Sequence, residues 1–294
     1  MKKILVPTDF SEVSFHAAEF AMQIAKASNA SLIMLHSAYF HYFNEFSYGV
    51  TINPQPFIDE LEKAIEGKLQ TFQKRLGNKV EVETKISGLN LIDAVKDMVD
   101  SEGIDLIVVG THGASGLKET FIGSNTERVV RRTNCPVIAV PSHVEMNAIS
   151  KILVPLDILE IQDGFMKNLA RLQKFFEADM EFVWVRTNHC RENEGEVRKK
   201  FNSLMKTYGI NNGLLSIICS TVPLEGILAH ATLSRANMIA MATHARRGIA
   251  HLLSGSITED TINRISIPVW TYKLDKEAKN IDLFKSNEEE VQVK

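Results

Sequence analysis

The sequence predicts an α/β fold of two tandem doubly wound domains, each a five-stranded parallel sheet of order 3-2-1-4-5 with helices on both faces. Three observations carry this expectation. Residues 2–9 read KKILVPTD and residues 150–157 read SKILVPLD. DLIVVGTHGASGLKETFIGSNTERVVRRTNCPVIAV (105–140) aligns without a gap on NMIAMATHARRGIAHLLSGSITEDTINRISIPVWTY (237–272), so a whole domain is duplicated rather than a short solenoid unit. Within each copy, short runs rich in Val, Ile and Leu alternate with segments of helical period, the pattern of a parallel sheet covered on both faces. A chain of 294 residues is long enough for each copy to bury its own core.

The elements follow in order. KILVPT reads as a buried strand, and Ser11 caps a helix whose apolar face uses Val13, Ala17, Phe20 and Ile24 at the 4-3-4 helical spacing. SLIMLH (31–36) is a second strand, with a helix from about Ile58 to Leu76. VEVETKI (80–86) is a third strand, followed by a helix through Leu91, Val95 and Val99. DLIVVG (105–110), a helix over Asn125 to Arg132, and PVIAV (136–140) complete the first copy. The second copy repeats the series with KILVPL, MEFVWV, LLSIIC, NMIAMA and PVWTY. The boundaries expected are a first domain over 1–146, a second over 147–274, and a charged, patternless tail over 275–294. The first copy is the longer. Most of its surplus falls in YFHYFNEFSYGVTINPQPF (39–57), read as a long loop packed against its surroundings, with a lid or a partner surface as the alternative.

Composition narrows the function classes. The net charge of -3 leaves no electrostatic footprint for nucleic acid. Apolar runs such as LIVV (106–109) are strand-length and too short to span a bilayer, and Pro7 and Asp9 stop the first apolar run too soon for a signal peptide. Cys135, Cys190 and Cys219 form no CxxC, which points to reduced thiols and a cytoplasmic protein.

A doubly wound sheet binds ligands beyond the carboxyl ends of its strands where the order reverses, here between strands 1 and 4. Pro7-Thr8-Asp9 follows strand 1, and Gly110-x2-Gly113-x9-Gly123-Ser124 follows strand 4 and opens a helix. Glycines let backbone N–H groups approach phosphate oxygens, and a helix N-terminus favours an anion. Ser124 and Thr126 add hydroxyls, and Asp9 is an acceptor for a ribose hydroxyl or a metal-bound water. The plainer alternatives are glycines that serve only the turn, Asp9 as a helix cap, His112 and His244 as loop-packing residues, and Lys118, Arg128, Arg131 and Arg132 as a solvated helix face. The spacing suits neither a Walker loop nor a Rossmann fingerprint.

These motifs, with VPTD after strand 1 and CPVIAVP at the domain end, resemble the universal stress protein family, in a tandem two-domain form. The resemblance implies a stress-response or regulatory binding protein that holds ATP with a divalent cation, Mg or Mn. It places Pro7, Thr8 and Asp9 near base and ribose, and Ser37 at the adenine through its backbone. Gly110, His112, Gly113, Gly123, Ser124 and Asn125 would surround ribose and phosphates. It also implies antiparallel pairing of the two fifth strands, giving an internal pseudo-dimer of the repeats, with a higher homo-oligomer left open. The rivals are a non-nucleotide ligand-binding or scaffolding protein, and an adenylating or ATP-hydrolysing enzyme. No general base stands out, so any hydrolysis is expected to be slow. In the second copy Ala242 and Ala245 replace the first two glycines and Leu156 replaces Thr8, which marks that half as degenerate. Asp157, His189, Cys190, Cys219, His244 and His251 gather near its strand ends without a recognised metal spacing.

Overall fold

A computed structural model describes residues 1–39, 55–77, 80–111, 124–158, 163–187, 193–243 and 255–273. The aromatic-rich stretch from residue 40 to 54, the greater part of the loop after strand 4 and the charged tail lie outside them. The first half runs β1 (Lys3–Pro7), α1 (Glu12–Ser28), β2 (Ser31–Ser37), α2 (Gln55–Leu76), β3 (Val82–Ser87), α3 (Leu91–Glu102), β4 (Leu106–Gly110), α4 (Ser124–Arg132) and β5 (Val137–Val140). After a 3-10 turn at Met146–Ala148 come β6 (Lys151–Pro155), α5 (Asp163–Phe176), β7 (Asp179–Arg186), α6 (Glu194–Tyr208), β8 (Gly213–Cys219), α7 (Pro223–Leu233), β9 (Met238–Thr243), α8 (Gly255–Arg264) and β10 (Val269–Lys273).

The ten strands among the described residues form one sheet, β3-β2-β1-β4-β5-β10-β9-β6-β7-β8, and each half reads 3-2-1-4-5. Pairing is parallel within each half, as short Val/Ile/Leu-rich strands joined by helices require. β10 pairs antiparallel with β5, in the register Val269↔Ala139, Trp270↔Ile138 and Thr271↔Val137. Hydrophobic cores cover both faces of the sheet and each draws residues from both halves. Trp270 is fully buried at this seam, its ring 6.0 Å from that of Phe165. The outer strands β3 and β8 are partly exposed, and β3 carries the Lys85–Glu83 ion pair that blunts an open edge.

Helix α1 shows how sequence becomes position. The Ser11 hydroxyl accepts the Ser14 N–H at 3.2 Å, the N-cap that the sequence predicts. Ala17, Phe20 and Ile24 are buried and Val13 is half-buried. Asn29 ends the helix in the left-handed conformation. The helix packs on β1 and β4, and its first turn forms one wall of the crevice between their carboxyl ends.

Candidate functional site

The corner between β1 and α1 is locked by its own side chains. The Thr8 N–H donates to the Leu35 carbonyl at 2.9 Å, which ties the corner to β2. Thr8 Oγ1 accepts the Phe10 N–H at 3.1 Å and lies 3.0 Å from Ser14 Oγ. Ser14 Oγ donates to the Ser11 carbonyl at 2.8 Å, so its one proton is committed and Thr8 is the donor in the pair. Thr8 is buried and its hydroxyl proton is spent inside the protein, whereas Asp9 faces solvent. Asp9 Oδ1 accepts the Ser11 N–H at 3.0 Å, closing the turn that precedes the helix while Ser11 does the capping.

Phe10 adopts a left-handed φ of 65°, a conformation that costs a non-glycine residue about 1–2 kcal/mol. Its ring stacks on His36 at 4.5 Å and meets the edge of Phe72 at 6.2 Å. Because a carbonyl can only accept, His36 Nδ1–H donates to the Thr8 carbonyl at 2.9 Å, which leaves Nε2 as the acceptor in the neutral ring.

Gly110 differs from the sequence expectation in its reason. Its φ lies outside the left-handed region, and a Cβ there would stand 2.8 Å from the Val13 carbonyl oxygen and 2.9 Å from its carbon. Close approach of the α1 backbone, rather than approach of a phosphate, is what excludes a side chain. Thr126 is likewise structural, since its hydroxyl donates to the Gly110 carbonyl at 2.7 Å and pins the start of α4 to the end of β4. In the second half Thr258 makes the equivalent but longer contact to Ala242, at 3.4 Å.

A cavity of about 320 Å³ opens at this carboxyl edge, a size at the lower end for small-molecule pockets. Seven of the sequence-predicted residues line it together: Pro7, Thr8, Asp9, Ser37, Gly110, Asn125 and Thr126. Ser124 begins α4, while His112, Gly113 and Gly123 lie outside the described residues. His36, Asn90, Leu91 and Val109 also line the cavity, and sequence reasoning did not single them out as site residues. Asn90 could have been found, since it is an N-cap three residues ahead of Asp93: its Oδ1 accepts the Asp93 N–H at 3.2 Å and its Nδ2 donates to the Asp93 carboxylate at 2.6 Å. Ser37 Oγ donates to the Leu89 carbonyl at 2.7 Å, so its hydroxyl braces the β3–α3 loop. Leu91 and Val109 supply apolar surface. Among the described lining residues Asp9 is the one carboxylate, and it faces solvent.

The second half presents a different corner. Leu156, Asp157 and Ile158 are all buried, whereas Asp9 is exposed. Of the metal-ligating residue types expected to gather here, Asp157 and the exposed Cys219 are described, and His189, Cys190, His244 and His251 lie outside the described residues. Among the described residues no helix is long and apolar enough to cross a membrane.

Comparison with known proteins identifies the family. The family model described as universal stress protein family matches residues 1–141 and 193–273. Universal stress protein YxiE of Bacillus subtilis is 31% identical over 144 residues, covering 47% of this chain and 97% of the relative. Universal stress protein MJ0577 of Methanocaldococcus jannaschii is 33% identical over 158 residues, covering 47% of this chain and 94% of the relative. A crystal structure of a universal stress protein from Archaeoglobus fulgidus superposes with a TM-score of 0.70 over 93% of this chain and 97% of its own; at 21% identity it speaks for the fold alone. With the family model matched in both halves, the chain belongs to the universal stress protein family.

Proposed function

We propose that the first half binds one ATP, with Mg or Mn, and that the protein acts as a stress-response or regulatory binding protein of the cytoplasm. The observation that carries this reading is the meeting of Pro7, Thr8, Asp9, Ser37, Gly110 and Asn125 in one cavity at the carboxyl edge between β1 and β4. The adenine lies against Leu91 and Val109 and meets the Ser37 backbone. Asp9 takes a ribose hydroxyl or a metal-bound water. The phosphates run toward the N-terminus of α4, where N–H groups that have no partner within the helix and the helix dipole favour an anion. Thr8 and Thr126 hold the frame rather than the ligand, since their protons are already donated. His36 is the one imidazole among the described lining residues, and its ring is fixed by Thr8 and Phe10, an arrangement that favours holding a nucleotide over turning it over.

The two repeats, 1–146 and 147–274, then form an internal pseudo-dimer, a reading supported by the antiparallel pairing of β5 and β10. The second half, with its corner buried, serves a structural role. Native mass spectrometry of the purified chain and calorimetry with ATP and Mg test the assignment. One adenine nucleotide per chain is expected, with binding abolished and the fold kept in Gly113→Val. Equal ATP affinity in that variant and the parent, or no binding to the parent at millimolar ATP, overturns it.

A further inference from the structure

The connector between the two halves crosses α1 along a single stripe. His16, Glu19 and Gln23 are spaced by three and four residues, which places them on one helix face. Gln23 fastens the connector at one end: its Oε1 accepts the Met146 N–H at 2.8 Å and its Nε2 donates to the Val144 carbonyl at 3.4 Å. Further along the stripe, His143 descends onto Glu19 and His16. His143 Nδ1 lies 3.1 Å from Glu19 Oε2, and its Nε2 lies 3.0 Å from Glu145 Oε1. The rings of His16 and His143 meet edge to face with centroids 5.7 Å apart. One nitrogen of each imidazole and one Glu19 oxygen all fall within 4.8 Å of one another. Among the described residues His16 Nδ1 is buried and has no hydrogen-bond partner, an unfavourable state for a polar atom.

We propose that His16, Glu19 and His143 form a binding site for a divalent transition metal ion, zinc foremost, which pins the connector to the first half. The donor set decides the class of ion. Two imidazoles and a carboxylate suit zinc and its neighbours, whereas magnesium and calcium prefer all-oxygen shells. Tetrahedral bonds of about 2.0–2.1 Å hold ligand atoms ~3.3 Å apart, and the His143–Glu19 pair already stands near that separation. The remaining approach is short, and the half-exposed His143 side chain has room to make it. Glu145 completes the arrangement, because a ligating histidine characteristically donates its second N–H to a carboxylate. A proton shared between His143 and Glu19 accounts for those two groups but leaves His16 Nδ1 buried without a partner among the described residues. The fourth coordination position falls to water. The site is separate from the cavity of the first half and shares no residue with it.

The test uses the full chain, stripped with chelator and titrated with zinc chloride by calorimetry, with cobalt(II) as a visible-absorption probe of four-coordinate nitrogen and oxygen ligation. One equivalent of zinc is expected to bind the parent, and magnesium at the same concentration is expected not to. His143→Ala and Glu19→Gln should each weaken zinc binding by at least about tenfold with the circular dichroism spectrum unchanged, since both alter partly exposed side chains. Zinc affinity that is undiminished in both variants assigns the ion to other ligands, such as Cys219, and overturns the site. Failure of the parent to bind zinc overturns it equally.

Discussion

Glu181 offers a test of the core by acid. It sits on β7 opposite Leu153 of β6, the place that Ile33 holds opposite Leu5 in the first half. Both residues are buried, Glu181 at 4% exposure and Ile33 at 1%. Lys151 Nζ lies 2.7 Å from one carboxylate oxygen, while the Ser216 hydroxyl and His230 Nε2 each lie 2.6 Å from the other. Burial pushes the carboxyl pKa up. The hydrogen bonds from Lys151, Ser216 and His230, with the charge of Lys151, outweigh burial and bring it from the ordinary 4.5 to about 2. A pKa lowered in the folded state contributes stability that is complete above the unfolded value and is lost as pH falls toward the folded one. At 1.36 kcal/mol per pH unit the contribution is roughly 3 kcal/mol near neutrality, falling to about half by pH 3. Glu181→Gln keeps the volume and removes the charge, so it should lower stability by about that amount at pH 7 and by progressively less in acid. Urea unfolding of parent and variant down the pH series measures the difference, and carbon-detected NMR follows the carboxyl directly. A Glu181 carboxyl that titrates at pH 4 or above, or a stability difference that does not change with pH, refutes the reasoning.

Two further substitutions separate scaffold from ligand contact. Gly110→Ala drives a methyl group into the Val13 carbonyl and should cost about 1–3 kcal/mol, read as a lowered melting temperature; unchanged stability removes the close-approach explanation. Thr8→Val preserves shape but strands the Phe10 N–H and removes the hydrogen bond that Ser14 Oγ accepts, so a loss of about 1–3 kcal/mol in chemical denaturation is expected, with ATP affinity changed far less than by Gly113→Val. A reversed ranking of those two affinities would return Thr8 to the ligand.

The α/β class and the duplication were legible because the repeat and the alternation of strand and helix are properties of the whole chain, insensitive to any one residue. The cap at Ser11 was legible for a local reason, a hydroxyl ahead of an apolar stripe. Roles of individual polar groups were not. Thr8 and Thr126 look like ligand donors in one dimension, and only the fold shows each proton already given to Ser14 or to Gly110. Gly110 was recognised as obligatory, but its cause lies in Val13, nearly a hundred residues away in sequence. His36 lacked any motif, since its place beside the cavity follows from the parallel register of β1 and β2. The His16–Glu19–His143 group was invisible for the same reason: its third member arrives from beyond β5, across a tertiary contact that no spacing encodes.

The antiparallel seam between β5 and β10 has a kinetic and an evolutionary consequence. Two edges that separate chains would have to find by collision are here delivered by one polypeptide, so their meeting is a first-order event and does not weaken on dilution. A half whose neighbour is guaranteed by a covalent tether can lose its own ligand without losing its fold, because the neighbour continues to cover its exposed edge and extend its core. Ala245, which stands where the first half has Gly113, is the kind of drift such a tether permits.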